Sequence, residues 1–126
     1  METSFKQTTS NKVERYRLFL PQFELLISDE KEEISVLANT AAALREAFGF
    51  FWVGFYLVKD DQLILGPFQG STACYLSRSE IVVPILANGQ VKGVLDIDSN
   101  LLNFFDETDR RYLEEVTAIV AKTLYY

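Results

Sequence analysis

The feature that most restricts the fold is a change of hydrophobic period at Gly49. Before it, apolar residues recur at helical spacing; after it, they alternate. Val13, Tyr16, Phe19, Leu20, Phe23, Leu26 and Ile27 share one side of a helix expected over 11–27. Ile34, Leu37, Ala38, Ala41, Leu44 and Phe48 share one side of a second, over 31–48. Pro21 is expected to kink or break the first helix, since it donates no backbone hydrogen bond. Ser28-Asp29-Glu30 reads as a turn that caps the second, and Gly49 as its terminator. The alternating half gives strands over 50–58, 63–68, 80–86 and 90–98. Lys59-Asp60-Asp61-Gln62 and Ala87-Asn88-Gly89 supply hairpin turns, and Gly66-Pro67 marks the second strand as an edge. Asp106, with Asp109 three residues on, opens a last helix to about 124 through a capping-box-like pair. The order ααββββα predicts an α+β fold, a central antiparallel sheet with helices packed on one face. One domain over 11–126 is expected, preceded by a polar, disordered tail over 1–10.

Composition removes several functions. The net charge is −6 and the basic residues are scattered, so neither nucleic acid nor an anionic membrane is an expected partner. No apolar run approaches membrane-spanning length, and METSFKQTTSNK lacks the apolar stretch of a signal peptide, which predicts a cytoplasmic protein. The chain has no His and one Cys, Cys74. Triads built on His, internal disulfides, CxxC redox pairs and ordinary zinc sites are therefore excluded, and neither a metal nor a cofactor is expected.

Alternation separates two sheet faces. Taking the first, third and fourth strands as central, Val53, Phe55, Leu57, Ile81, Val83, Ile85, Val91, Gly93, Leu95 and Ile97 form the face the helices should cover. The other face carries Trp52, Gly54, Tyr56, Glu80, Val82, Pro84, Val94, Asp96 and Asp98. Aspartates two apart on one strand repel each other and are disfavoured there. Pattern alone weighs evenly between a solvated sheet face and a small-ligand site.

Five segments stand out: Trp52-Val53-Gly54-Phe55-Tyr56, Leu65-Gly66-Pro67-Phe68-Gln69-Gly70, Ala73-Cys74, Ser79-Glu80-Ile81-Val82-Val83-Pro84 and Gly93-Val94-Leu95-Asp96-Ile97-Asp98-Ser99. Together and in this order they resemble the free methionine-(R)-sulfoxide reductases, which are GAF-domain enzymes. The resemblance runs from about Leu37 to the C-terminus and implies a GAF fold, a homodimer, and thiol-dependent reduction of the free amino acid with a thioredoxin-like donor. It implies that Trp52 and Tyr56 enclose the methylthio end of free methionine sulfoxide. It places Glu80, Asp96 and Asp98 on the sulfoxide side, and Cys74 at a resolving-type position. The sequence departs from the family between Cys74 and Glu80. Members carry several dozen residues there, with two further cysteines, one of them the nucleophile; here Cys74-Tyr75 runs straight into Leu76-Ser77-Arg78-Ser79.

Three crowded carboxylates suit sulfoxide chemistry. They cannot all ionise together, so at least one should hold a proton near neutral pH and deliver it to the sulfoxide oxygen. Cys74 reads either as a thiol resolved by an outside partner or as an inert buried residue. The catalytic reading therefore stands beside a non-catalytic GAF module that binds a small ligand or dimerises, and a scaffold without a ligand. The N-terminal helix around Phe19 and Phe23 is the candidate dimer surface.

Overall fold

The computed structural model describes residues 4–72 and 77–126. The elements are α1 (Lys12–Ile27), α2 (Glu33–Phe48), β1 (Trp52–Lys59), β2 (Gln62–Gln69), β3 (Ser79–Ala87), β4 (Gln90–Ser99) and α3 (Glu107–Tyr125). They follow the expected order and the α+β class. The four strands form one antiparallel sheet in the order β2-β1-β4-β3. β2 is an edge as expected, but β3, expected to be central, is the other edge.

Local chemistry explains most boundaries. The Asn11 side chain accepts a hydrogen bond from the Glu14 amide and starts α1. Gly49 ends α2 at φ +65°, a conformation that costs glycine little. Both hairpins turn on two residues with positive φ, Asp60-Asp61 and Asn88-Gly89, so the first loop is shorter than the four polar residues suggest. α1 runs unbroken through Pro21, against expectation. Pro21 and Arg17 both lie exposed, so the Arg17 carbonyl that loses its intrahelical donor faces solvent rather than the core. The cap on α2 also differs. Glu32 stands at the N-cap without a side-chain bond, and the Glu30 carboxylate instead accepts from the amides of Lys31 and Glu32.

α2 lies over β1 and β2, α3 packs against β3, and α1 closes over both helices. The core between them contains Val53, Phe55, Leu57, Ile81, Val83, Ile85, Leu95 and Ile97, the expected inner face, with Tyr16, Phe19, Phe23 and Ile27 from α1. Two expected members turn outward. Ile34 is 61% exposed, and the buried stripe of α2 instead includes Val36, Thr40, Ala43 and Ala47. Val91 is 45% exposed because Ile85 pairs with Gly93 while Leu86 pairs with Val91. One extra residue on β4 moves Val91 to the other face. Phe5, in the polar leader, is buried 5.6 Å from the Phe19 ring, and its amide donates to Glu46 Oε1 at 2.8 Å.

Candidate functional site

The face away from the helices is assembled by strand register. Across β1 and β4, Trp52 lies opposite Asp98, Gly54 opposite Asp96 and Tyr56 opposite Val94. Across β3 and β4, Glu80 lies opposite Asp98 and Val82 opposite Asp96. The five described candidate residues, Trp52, Tyr56, Glu80, Asp96 and Asp98, thus share one face of three neighbouring strands. Cys74 lies outside the described residues.

This face is not a plain solvated one. Asp96 is 8% exposed and Asp98 3%, whereas Glu80 remains open to solvent. Oxygens of all three carboxylates lie within 4.8 Å of one another. Ser77 Oγ donates to Asp98 Oδ1 at 3.1 Å. Asp96 Oδ1 is buried without a hydrogen-bond partner among the described residues. Burial, a hydrogen bond shared with Glu80, and the negative charges of Asp98 and Glu80 together push the Asp96 carboxyl up to about 8. Asp96 therefore keeps its proton at neutral pH, while a carboxylate in water gives it up near pH 4.

The aromatic side is tighter than alternation suggests. Trp52 is only 2% exposed but lies outside the helix-side core, so what covers it is on the site face. Its ring stacks on Phe68 at 5.4 Å between centroids, and Nε1 donates to the Ser71 carbonyl at 3.0 Å. Tyr56 is half-buried, 6.3 Å from Trp52 between centroids. Two glycines make this packing possible. A Cβ at Gly54 would fall 2.5 Å from Phe68 Cβ and 2.6 Å from Trp52 Cη2; one at Gly70 would fall 2.7 Å from Trp52 Cδ1. Phe68 and Ser71 were not singled out in the sequence. The bulge that positions Phe68 has a visible signal in Gly66-Pro67, because Gly54 pairs with Phe68 and Tyr56 with Leu65, leaving one extra residue on β2.

The geometry brings an aromatic pair tilted by 32°, a neutral carboxylic acid and two further carboxylates to one side of the sheet. It can hold a small polarised group beside a proton donor. Three carboxylate oxygens so close could also hold a hard cation.

No protein-family model matches the chain. It is 37% identical to GAF domain-containing protein A of Dictyostelium discoideum, across 95% of this chain and 99% of that one. That alignment spans 156 positions, so at least 30 of them have no counterpart among the 126 residues here. The chain is 33% identical to the free methionine-R-sulfoxide reductase of Escherichia coli, across 90% of this chain and 91% of that one. Among solved structures it superposes on the free methionine-R-sulfoxide reductase from Neisseria meningitidis, determined in complex with its substrate. The TM-score is 0.92 at 41% identity, across 98% of this chain and 95% of that one. With the helix-backed antiparallel sheet, these likenesses establish that the chain belongs to the free methionine-R-sulfoxide reductase family of GAF-domain proteins.

Proposed function

We propose that this protein binds free methionine-(R)-sulfoxide on the face built by β1, β4 and β3 and reduces it to methionine with thiols. The observation that carries this reading is the placement of three converging carboxylates, one buried with its proton, beside Trp52 and Tyr56. In the proposed reaction the methylthio end rests against the aromatic pair and the sulfoxide oxygen faces Asp96 and Glu80. A thiolate attacks the sulfoxide sulfur and forms a transient S–S bond; the oxygen then passes to the attacking sulfur as the S–O and S–S bonds break, leaving methionine and a sulfenic acid that keeps the delivered proton. Asp96 supplies the proton that makes the oxygen a better acceptor, and Glu80 and Asp98 hold that proton in place. The sulfenic acid condenses with a second thiol to a disulfide and water.

Cys74 is the only thiol in the chain, so the second thiol must come from another molecule, a thioredoxin-like donor in this reading. We place the protein in the cytoplasm, where such donors keep thiols reduced, and read it as a homodimer. No helix among the described residues is long and apolar enough to cross a membrane.

A second reading is favoured by that single cysteine: a GAF module that binds the amino acid without turning it over. One experiment separates the two. The purified chain is incubated with free methionine-(R)-sulfoxide and a thioredoxin system, and methionine is quantified. Turnover lost in Cys74→Ser supports the reductase. Calorimetric binding without turnover supports the module, and neither binding nor turnover rejects both.

A further inference from the structure

A free amino acid brings an ammonium and a carboxylate that must both find partners when they leave water. Trp52, Tyr56 and the three carboxylates offer that carboxylate no cation. Beyond Glu80, however, the surface opens into a cavity of about 430 Å³, within the size range of small-ligand pockets. It is lined by Glu80 and Ile81 of β3, by Phe105 and Asp106 just before α3, and by Glu107 and Arg110 of α3. Glu80 belongs to both places. Its side chain shares a hydrogen bond with Asp96 and also borders this cavity.

Two charged side chains of the cavity are uncommitted. Glu107 is exposed and Arg110 half-buried. Three residues apart on a helix, they are spaced to pair with each other. They do not: the ion pairs among the described residues are those of Lys12 with Asp106 and Asp109. Neither side chain donates to or accepts from another described residue. Asp106 differs, since its Oδ1 accepts from the amides of Thr108 and Asp109 and its Oδ2 from Lys12. The start of α3 is thus closed by its own cap, and the free charges in the cavity are those of side chains. A guanidinium partly withdrawn from water, with no acceptor, favours a ligand that supplies one.

We propose that this cavity holds the head group of the free amino acid, with Arg110 bonding the α-carboxylate and Glu107 the α-ammonium. The assignment rests on the sulfoxide reading and names the residues that set its selectivity. In extended methionine sulfoxide the α-carbon lies about 4 Å from the sulfur, so a sulfoxide oxygen at Glu80 leaves the head group on the cavity side of that residue. A guanidinium meets a carboxylate through two parallel N–H···O bonds. The zwitterion gives Glu107 and Arg110 their counter-charges at once. A methionine sulfoxide inside a peptide carries neither charge, leaves both side chains unpaired and is rejected.

The test is calorimetric titration of the full chain with free methionine-(R)-sulfoxide, its methyl ester and its N-acetyl derivative. The parent should bind the free amino acid at least about tenfold more tightly than either derivative. Arg110→Gln should weaken the free amino acid by a similar factor and leave the ester, which has no carboxylate, unchanged. Glu107→Gln, at an exposed position, should weaken the free amino acid and leave the N-acetyl derivative, which has no ammonium, unchanged. Asp96→Asn, on the sulfoxide side, should weaken all three alike. Three ligands bound equally by the parent, or free amino acid affinity that survives both cavity substitutions, would overturn the proposal while the sulfoxide reading stands. Equal losses for all three ligands in Arg110→Gln would do the same, because a structural role moves them together. A parent that binds none of the three removes the sulfoxide reading and this assignment with it.

Discussion

An aspartate inside a strand needs water or a partner, and one oxygen of Asp96 has no partner among the described residues. Its raised titration, to about 8, has a defined effect on stability. The folded protein holds a proton that the unfolded chain releases near pH 4, so between those values folding takes up a proton. Stability from this group is therefore full below about pH 4 and falls as pH rises towards 8. Asp96→Asn removes the titration. Its stability relative to the parent should improve by roughly 2 kcal/mol between pH 5 and pH 9, after allowance for partial solvent screening. Urea denaturation at the two pH values measures it, and an equal difference at both would refute it. In the reductase reading the same variant should lose about 10²-fold in kcat, since an amide donates a hydrogen bond but no proton. Packing around Trp52 yields a second prediction. Gly54→Ala places a methyl group against Phe68 Cβ and the Trp52 ring, and should cost about 1–3 kcal/mol. Gly89→Ala meets no atom within 4 Å and carries only the strain of φ +76°, so it should cost about 1 kcal/mol. Alternation placed these side chains on the right face because a strand has a fixed period of 2. It could not give their depth. Trp52 is buried by Phe68 and the Ser71 carbonyl, and that cover depends on the β2 bulge, a tertiary feature with no period of its own.

At the level of elements, the Asp106–Asp109 capping box was legible because it is local, two side chains three residues apart. Its wider role was not. Tyr16 Oη donates to Asp109 Oδ1 at 2.7 Å, and Lys12 Nζ donates to Asp109 Oδ2 at 2.7 Å and to Asp106 Oδ2 at 3.2 Å. The start of α3 is thereby fastened to the first turns of α1, more than ninety residues away in sequence. Burial and then the bond to Asp109 hold the Tyr16 phenol well above its ordinary range, so it remains a donor at any working pH. Asp109→Ala removes one half of the cap and leaves a buried phenol unpaired. It should destabilise by about 3 kcal/mol. Asp106→Ala, which loses an exposed cap and a weak surface pair, should cost about 1 kcal/mol. Chemical denaturation of the two variants checks the order, and equal losses would mean that the link to α1 contributes nothing. Element boundaries were legible wherever a local rule governs them, as at Gly49 and Asn88-Gly89. They were misread where solvent relaxes the rule: Pro21 lies on the wet side of α1, so the helix continues through it.

For the whole molecule, hydrophobic periodicity says which residues are apolar but not which apolar residues meet solvent in the finished fold. Phe19 and Phe23 illustrate this. As the apolar side of an amphipathic helix they suit a dimer surface, yet both are fully buried in the core. The helix is apolar on more than one side. Leu18 is 51% exposed and Leu25 77%, seven residues apart and therefore on one stripe, with Pro21 exposed between them. Arg17 and Glu24 line an adjoining open groove with Arg111 and Glu115 of α3. A two-fold axis brings the same patch against itself, and a patch with both charges can pair Arg with Glu in both directions. Two leucines per chain fall short of the roughly 1,000 Å² that a stable interface buries, so the flanking α3 groove must contribute. The homodimer read for this protein is accordingly expected along the outer face of α1. Leu25→Glu should lower the sedimentation mass from twice 14.4 kDa to a single chain while leaving helical content unchanged. Phe23→Glu should instead unfold the protein, because it places a charge in the core. A dimer that withstands Leu25→Glu and Leu18→Glu together would move the interface off this face of α1.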